Sequence, residues 1–102
     1  MQGSQTISLK NPVSQQKNGI VLVFSPYDGG VAKDYMWISH FVSKKIVSLK
    51  PNSGHNFICF AQGNGGQVAE KYLYISDESI KGNDGNKNAP NNKWVLRYVL
   101  SA

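Results

Sequence analysis

The stretch IVLVF at Ile20–Phe24 decides the fold: five apolar residues, rich in β-branched side chains, follow the turn dipeptide Asn18–Gly19. Successive residues of a strand point to opposite faces, so a run that is apolar at every position predicts a strand covered on both sides. The glycine-rich turn Pro26–Gly30 ends the run. We therefore expect residues 20–24 to form a central strand of a sheet.

Further strand-like segments lie on both sides of this run, and turn residues of the Gly, Pro and Asn types separate them. No window carries apolar residues at helical spacing over three turns. The seven predicted strands are Thr6–Leu9, Ile20–Phe24, Tyr35–Val42, Lys44–Leu49, Asn56–Ala61, Val68–Ser76 and Lys93–Leu100. Strands at this spacing, without crossover helices, predict an all-β domain, either an antiparallel β-sandwich or a jelly-roll-like barrel.

Length and composition fit one domain, residues 1–102, because 40% of the residues are hydrophobic and suffice for a core. Residues 1–4 are expected to be a flexible start or an artificial boundary. The net charge of +5 is scattered along the chain, which predicts a basic surface and not a nucleic-acid partner. No apolar run reaches ~18–20 residues and no leader pattern opens the chain, so we expect neither a membrane partner nor classical export.

Nucleophilic and titratable side chains form no catalytic or metal-binding pattern in the sequence. Cys59 lies in an apolar run, which predicts a buried thiol of raised pKa instead of a nucleophile. His40 and His55 are the two histidines, and with a single cysteine they lack metal-ligand spacing. Four of the six acidic residues flank the turn after the strand-like residues 20–24 or follow the predicted strand Val68–Ser76, and capping accounts for them: Asp28, Asp34, Asp77 and Glu78. We predict a non-enzymatic domain with no catalytic residue, metal or cofactor.

Two polar segments are candidates for ligand contact, the turn at Tyr27 and the long loop Gly82–Asn92. Saccharide-binding sites stack sugar rings on exposed aromatic side chains and surround them with Asn, Asp and Gln. The two segments therefore predict a ligand-binding surface, and the alternative is a pair of ordinary loops at one end of a sandwich. The predicted contact residues are Tyr27, Asp28, Asn83, Asp84 and Asn86.

A family likeness extends over nearly the whole chain, from about Gln5 to Leu100. The segments that carry it are Gln5–Leu9, Gln16–Ser25, Tyr27, Asp34–Tyr35, Lys71–Asp77 and Trp94–Leu100. They resemble the β-rich C-terminal domain of tail-fibre, baseplate and minor structural proteins of phages and prophages of Gram-positive bacteria.

The resemblance implies a virion protein of the phage tail, assembled in the host cytoplasm, with a role in receptor binding and host adhesion or in fibre capping. It implies other tail subunits as partners, and it leaves open whether the domain binds a host cell-wall saccharide or only caps the fibre. Fibre proteins commonly have three-fold symmetry, so a homotrimer is expected. The resemblance brings no catalytic residues and leaves open whether the chain is a fragment of a longer protein. The alternatives are a carbohydrate-binding module outside a virion and a tail-associated cell-wall hydrolase domain.

The last predicted strand is largely apolar on both faces, which predicts that a sheet face or edge contacts neighbouring subunits. Arg97 lies between Val95 and Val99 in this strand. We expect it to pair with an acidic residue, and the sequence allows a partner in the same chain or across a subunit boundary.

Overall fold

The chain folds as two antiparallel sheets packed face to face, which confirms the predicted all-β sandwich. The computed structural model describes residues 5–61 and 66–102. The strands are β1 (Thr6–Ser8), β2 (Gly19–Asp28), β3 (Val31–Ala32), β4 (Ile38–Ser43), β5 (Ser53–Cys59), β6 (Ala69–Ile75), β7 (Ser79–Lys81) and β8 (Trp94–Ser101), and the helix α1 is Lys44–Leu49. Sheet A has the order β1-β7-β6-β5. In sheet B, β2 pairs with β3 and β4 on one edge and with β8 on the other.

The predicted central strand is β2, and it is paired on both edges as expected. Val21 faces Phe41 of β4 on one side and Leu100 of β8 on the other. Leu22 and Phe24 point between the sheets and are fully buried. The buried core between the sheets consists of Val13, Ile20, Leu22, Phe24, Val42, Val47, Phe57, Cys59, Ala69, Leu73, Ile75, Ile80 and Trp94.

The far end of β2 positions the predicted ligand-binding turn. Residues 27–28 pair with residues 31–32 of β3, so the chain reverses at Gly29–Gly30. These glycines have φ values of +59° and +77°, which a residue with a side chain adopts less readily. On the other edge of β2, Pro26 pairs with Trp94. The turn therefore lies beside the start of β8 and the loop that precedes it.

The predicted strand at Lys44–Leu49 is wrong, because these residues form α1. β4 pairs with β2 only as far as Ser43, which faces Gly19 at the start of β2, so the ladder has no partner beyond it. The Ser43 Oγ instead accepts a hydrogen bond from the Lys45 N–H at 3.2 Å and caps the helix. Val47 packs into the core from α1. Tertiary packing thus overrides the strand-like composition of this segment.

Smaller differences concern strand ends. β4 begins at Ile38 and not at Tyr35, because Met36 adopts a left-handed φ of 52° that interrupts extended backbone. The short strand β7 was not predicted, and it extends sheet A between β6 and β1. The predicted start at residues 1–4 lies outside the described residues, as do residues 62–65 between the predicted strands Asn56–Ala61 and Val68–Ser76.

Ser43→Ala is expected to lower the free energy of unfolding by about 1 kcal/mol, because it removes the hydrogen-bond acceptor that caps α1. Ser48→Ala, at an exposed position inside the same helix, is the control and should change it by less than about 0.5 kcal/mol. Urea denaturation followed by fluorescence measures both values. Equal losses in the two variants would contradict the capping role of Ser43.

Candidate ligand-binding site

A cavity of about 350 Å³ lies at the end of the sandwich where β2 ends and β8 begins. Its described wall consists of Gln5, Tyr27, Lys71, Asn86, Lys87, Asn92, Trp94 and Val95. The turn at Tyr27 and the loop before β8 therefore meet at one cavity, as the predicted surface requires. Tyr27 is 38% exposed, so its ring is accessible at the mouth.

The five predicted contact residues hold different places around this cavity. Tyr27 and Asn86 line it, whereas Asp28, Asn83 and Asp84 are not part of the described wall. Asp28 follows Tyr27 at the exposed end of β2, and Asp84 is exposed where the loop begins a 3-10 turn. The contact of these five residues with a ligand stays a prediction.

Side chains of two asparagines in the loop Gly82–Asn92 form hydrogen bonds with the backbone of β6. Asn86 is buried; its Oδ1 accepts a hydrogen bond from the Tyr72 N–H at 2.8 Å, and its Nδ2 donates to the Tyr72 carbonyl at 2.9 Å. The Asn91 Oδ1 accepts from the Glu70 N–H at 2.8 Å. β7 pairs with β6 only at Tyr74 and Ile75, so the earlier backbone groups on this edge of β6 have no strand partner in the described part of the chain. The asparagine amides form these hydrogen bonds instead. They thereby hold one wall of the cavity in position.

Asn83 also has a structural role. Its Oδ1 accepts a hydrogen bond from the Gly85 N–H at 2.8 Å, and its Nδ2 donates to the Tyr74 hydroxyl at 3.0 Å. Two of the predicted contact residues, Asn83 and Asn86, therefore use their amides within the fold. Asn92, the last residue of the predicted loop but not one of the five predicted contact residues, is exposed and lines the cavity.

Lys71 is a buried cation on the cavity wall that the sequence-based predictions missed. It is 3% exposed and shares the inward face of β6 with Ala69 and Leu73. Burial lowers the pKa of its ammonium from 10.5 to about 8, because loss of hydration disfavours the charged form. The signal is present in the sequence, since strand alternation places Lys71 on the same face as Leu73 and Ile75.

Cys59 lies at the end of the adjacent strand β5 and is fully buried, which confirms the predicted burial of its thiol. Burial raises the pKa of this thiol from 9.0 to about 12, and the positive charge of Lys71 offsets only part of the rise. The thiol is therefore protonated at neutral pH, whereas nucleophilic attack requires the thiolate. The position of Cys59 in the core indicates a packing role.

His40 and His55 both pack against the ring of Phe57, with ring centroids 5.4 and 6.4 Å away. The His40 Nε2 lies 2.9 Å from the carbonyl oxygen of Ile58, which connects an edge of sheet B to an edge of sheet A. Burial lowers the pKa of His55, so its neutral form is favoured. Among residues 5–61 and 66–102, no three His, Cys, Asp or Glu side chains are grouped to hold a metal ion.

Arg97 forms an ion pair with Asp34 of the same chain. Its Nη2 lies 2.9 Å from the Asp34 Oδ1, and its Nη1 donates to the Ser25 hydroxyl at 3.0 Å and the Lys33 carbonyl at 2.9 Å. The guanidinium also lies over the Trp37 ring, 5.0 Å from its centroid. Of the two partners that the sequence allows, the structure shows the one in the same chain.

The outer face of sheet B is an exposed apolar surface, formed by side chains that point away from the core. Val21, Phe41 and Leu100 lie in one row across β4, β2 and β8. Phe41 is 58% exposed and Leu100 is 49% exposed. Beside this row, the rings of Trp37 and Tyr98 pack with centroids 5.8 Å apart. A contiguous apolar surface of this kind is typical of an interaction site.

Comparison of the chain with protein-family models, with curated proteins and with solved structures found no match. Within the part of the chain that the structure describes, no helix has the length and apolar character needed to cross a bilayer.

Proposed function

We propose that this domain is a module of a phage tail fibre or baseplate and that it binds a saccharide receptor on the host cell surface. The observation that carries the proposal is the cavity at which Tyr27 meets amide and ammonium side chains. Binding residues concentrate on loops that a rigid scaffold positions, as the two sheets do here. The resemblance of Gln16–Ser25 and Trp94–Leu100 to tail proteins supports the virion setting.

The described wall of the cavity suits a hydroxylated ligand. Tyr27 offers an accessible aromatic face on which a sugar ring can stack. Asn92 contributes an exposed amide group, which both donates and accepts hydrogen bonds as sugar hydroxyls do. Trp94 is 2% exposed and supplies apolar surface at the base. Apolar lining with a few polar groups is typical of small-molecule sites.

Binding is favoured over cleavage at this cavity. None of the described residues of its wall carries a carboxylate, whereas glycoside hydrolysis needs two carboxyl groups that flank one bond. Release of reducing sugar or peptidoglycan fragments by the purified chain would instead support the cell-wall hydrolase. A carbohydrate-binding module outside a virion is the other alternative, and tail and lysis genes beside the coding gene would favour the phage assignment.

Tyr27→Ala is expected to weaken binding to purified host cell walls about tenfold, because it removes the aromatic face at the cavity mouth. Tyr35→Ala is the matched control, since Tyr35 is 51% exposed and lies outside the described wall. Co-sedimentation of the labelled chain with cell walls measures both variants, and a glycan array identifies the saccharide. If Tyr27→Ala binds as tightly as the wild type, this cavity is not the receptor site.

Fibre capping is the second candidate function, and the outer face of sheet B favours it. A face that exposes Phe41, Tyr98 and Leu100 would be covered by neighbouring subunits in a homotrimer. Light scattering at high protein concentration measures the mass in solution. A trimer would support assembly through this face, and a strictly monomeric chain would argue against a fibre role.

A further inference from the structure

Lys71 places a positive charge inside the protein without an opposite charge beside it. Its side chain is 3% exposed and lines the cavity at Tyr27. Within residues 5–61 and 66–102, its ammonium has neither a carboxylate at ion-pair distance nor a hydrogen-bond acceptor. Buried charges are normally paired, because moving a lone ion out of water is strongly unfavourable. A buried ammonium at this position would be stabilised by an anion, and the described side chains do not provide one.

None of the described groups that face Lys71 from the surrounding elements supplies a negative charge. Lys87, from the loop, brings a second positive charge to the wall. Cys59, on β5, keeps its thiol protonated, because burial raises its pKa to about 12. Tyr27, at the end of β2, contributes a phenol hydroxyl and no carboxylate. The described wall is therefore positive, and none of its side chains is an anion.

We propose that this cavity binds the anionic group of an acidic saccharide, a carboxylate or a phosphate, with the ammonium of Lys71 as its buried counter-charge. Lys87 contributes a second charge-assisted hydrogen bond at the mouth, and Tyr27 stacks on the sugar ring. The inference rests on the proposed function and extends it by naming the chemical class of the ligand.

The size of the cavity limits what it can hold. Its volume of about 350 Å³ lies at the lower end of the range of small-molecule sites, roughly 300–1,000 Å³. One acidic sugar unit fits this size better than a long oligosaccharide. The rest of a longer receptor would extend past Tyr27 into solvent.

Anion binding and the protonation of Lys71 are coupled. Burial lowers the pKa of this ammonium to about 8, and a bound anion raises it again because it favours the charged form. Binding is therefore expected to weaken as the pH rises above about 8. The other titratable groups facing Lys71 are Cys59, Lys87 and Tyr27, and the Cys59 thiol stays protonated through this range.

Calorimetric titration of the whole chain with galacturonate, galactose and inorganic phosphate tests the inference. Galacturonate and galactose share a ring and differ in the carboxylate, so galacturonate is expected to bind at least about tenfold more tightly. Tighter binding of phosphate than of galacturonate would identify a phosphate-bearing saccharide, and the reverse order a uronic acid. Equal binding of galacturonate and galactose, together with no binding of phosphate, would overturn the inference.

Lys71→Met is expected to abolish the preference for galacturonate, whereas Lys81→Met, at an exposed position of β7, should retain it. A second measurement uses the wild-type chain and does not depend on the folding of a variant. In an NMR titration of the Lys71 side chain, galacturonate is expected to raise the pKa of the ammonium. A pKa of Lys71 that stays the same at saturating galacturonate would contradict a direct ion pair.

Binding to host cell walls separates this inference from the proposed function. Wall binding that Tyr27→Ala weakens, without any preference for anions, would retain the receptor role and exclude an acidic ligand at Lys71. A preference for galacturonate that depends on Lys71, without binding to host walls, would support the anion site and exclude the receptor role.

Discussion

Lys71→Met is expected to stabilise the chain at pH 7, raising the free energy of unfolding by about 1–3 kcal/mol. Folding of the wild type removes the Lys71 ammonium from water and leaves it without a partner among the described residues. Methionine has a similar length and a flexible apolar chain, so it fills the same position on the inward face of β6 without that cost. A gain in stability together with a loss of anion binding is typical of a residue kept for function.

The same substitution is expected to change how stability depends on pH. The pKa of Lys71 falls from 10.5 in the unfolded chain to about 8 in the fold, so between these values the unfolded chain holds more protons and stability rises with pH. Cys59 has the opposite effect, because its pKa rises from 9.0 in the unfolded chain to about 12 in the fold. Its contribution to the free energy of unfolding is therefore fully present below pH 9 and is lost as the pH rises towards 12. The wild type should therefore gain stability between about pH 8 and 9, and Lys71→Met should not.

Urea denaturation from about pH 7 to about pH 9, followed by tryptophan fluorescence, measures both effects. Lys81→Met is the matched control, since Lys81 is exposed on a strand of the same sheet, and it should change stability by less than about 0.5 kcal/mol. A Lys71→Met variant that is less stable than the wild type at pH 7 would show that the ammonium has a stabilising partner.

The sheet scaffold follows from local patterns in the sequence, but α1 does not. Residues Ile20–Phe24 are apolar at every position, and this alone places β2 in the middle of a sheet. Residues Lys44–Leu49 fit a short strand or a short helix equally well. The start of β2 at Gly19 decides between them, because β4 has no partner strand beyond Ser43. The conformation of Lys44–Leu49 therefore depends on where a distant strand begins, and the local sequence pattern carries no information on that.

Some features of the candidate site could likewise be predicted from the sequence, and others could not. The meeting of Tyr27 with the loop could be predicted, since both segments carry polar and turn-forming residues at strand ends. The burial of Lys71 also follows from strand alternation, but lysine side chains are usually exposed, so the residue type and the strand pattern predict opposite positions. The roles of Asn83 and Asn86 could not be predicted. Whether an amide faces a ligand or a strand depends on where β7 stops pairing with β6, and composition carries no information on that.

Asn86→Ala is expected to lower the free energy of unfolding by about 2–3 kcal/mol, because one buried amide satisfies both backbone groups of Tyr72. Without this amide, the N–H and the C=O of Tyr72 lie on an edge of β6 that β7 does not reach, and the loop covers them. Asn91 still accepts from the Glu70 N–H and Asn83 still donates to the Tyr74 hydroxyl, so the loop remains attached to β6 at these points. The cavity wall formed by the loop should therefore become mobile before the sandwich itself unfolds.

Asn88→Ala is the matched control, since Asn88 is exposed in the same loop and its replacement should change stability by less than about 0.5 kcal/mol. Amide hydrogen exchange gives the local readout. In Asn86→Ala, the Tyr72 N–H should exchange faster relative to that of Leu73, which pairs with β5. Wild-type stability and wild-type protection of Tyr72 in Asn86→Ala would mean that other contacts hold the loop.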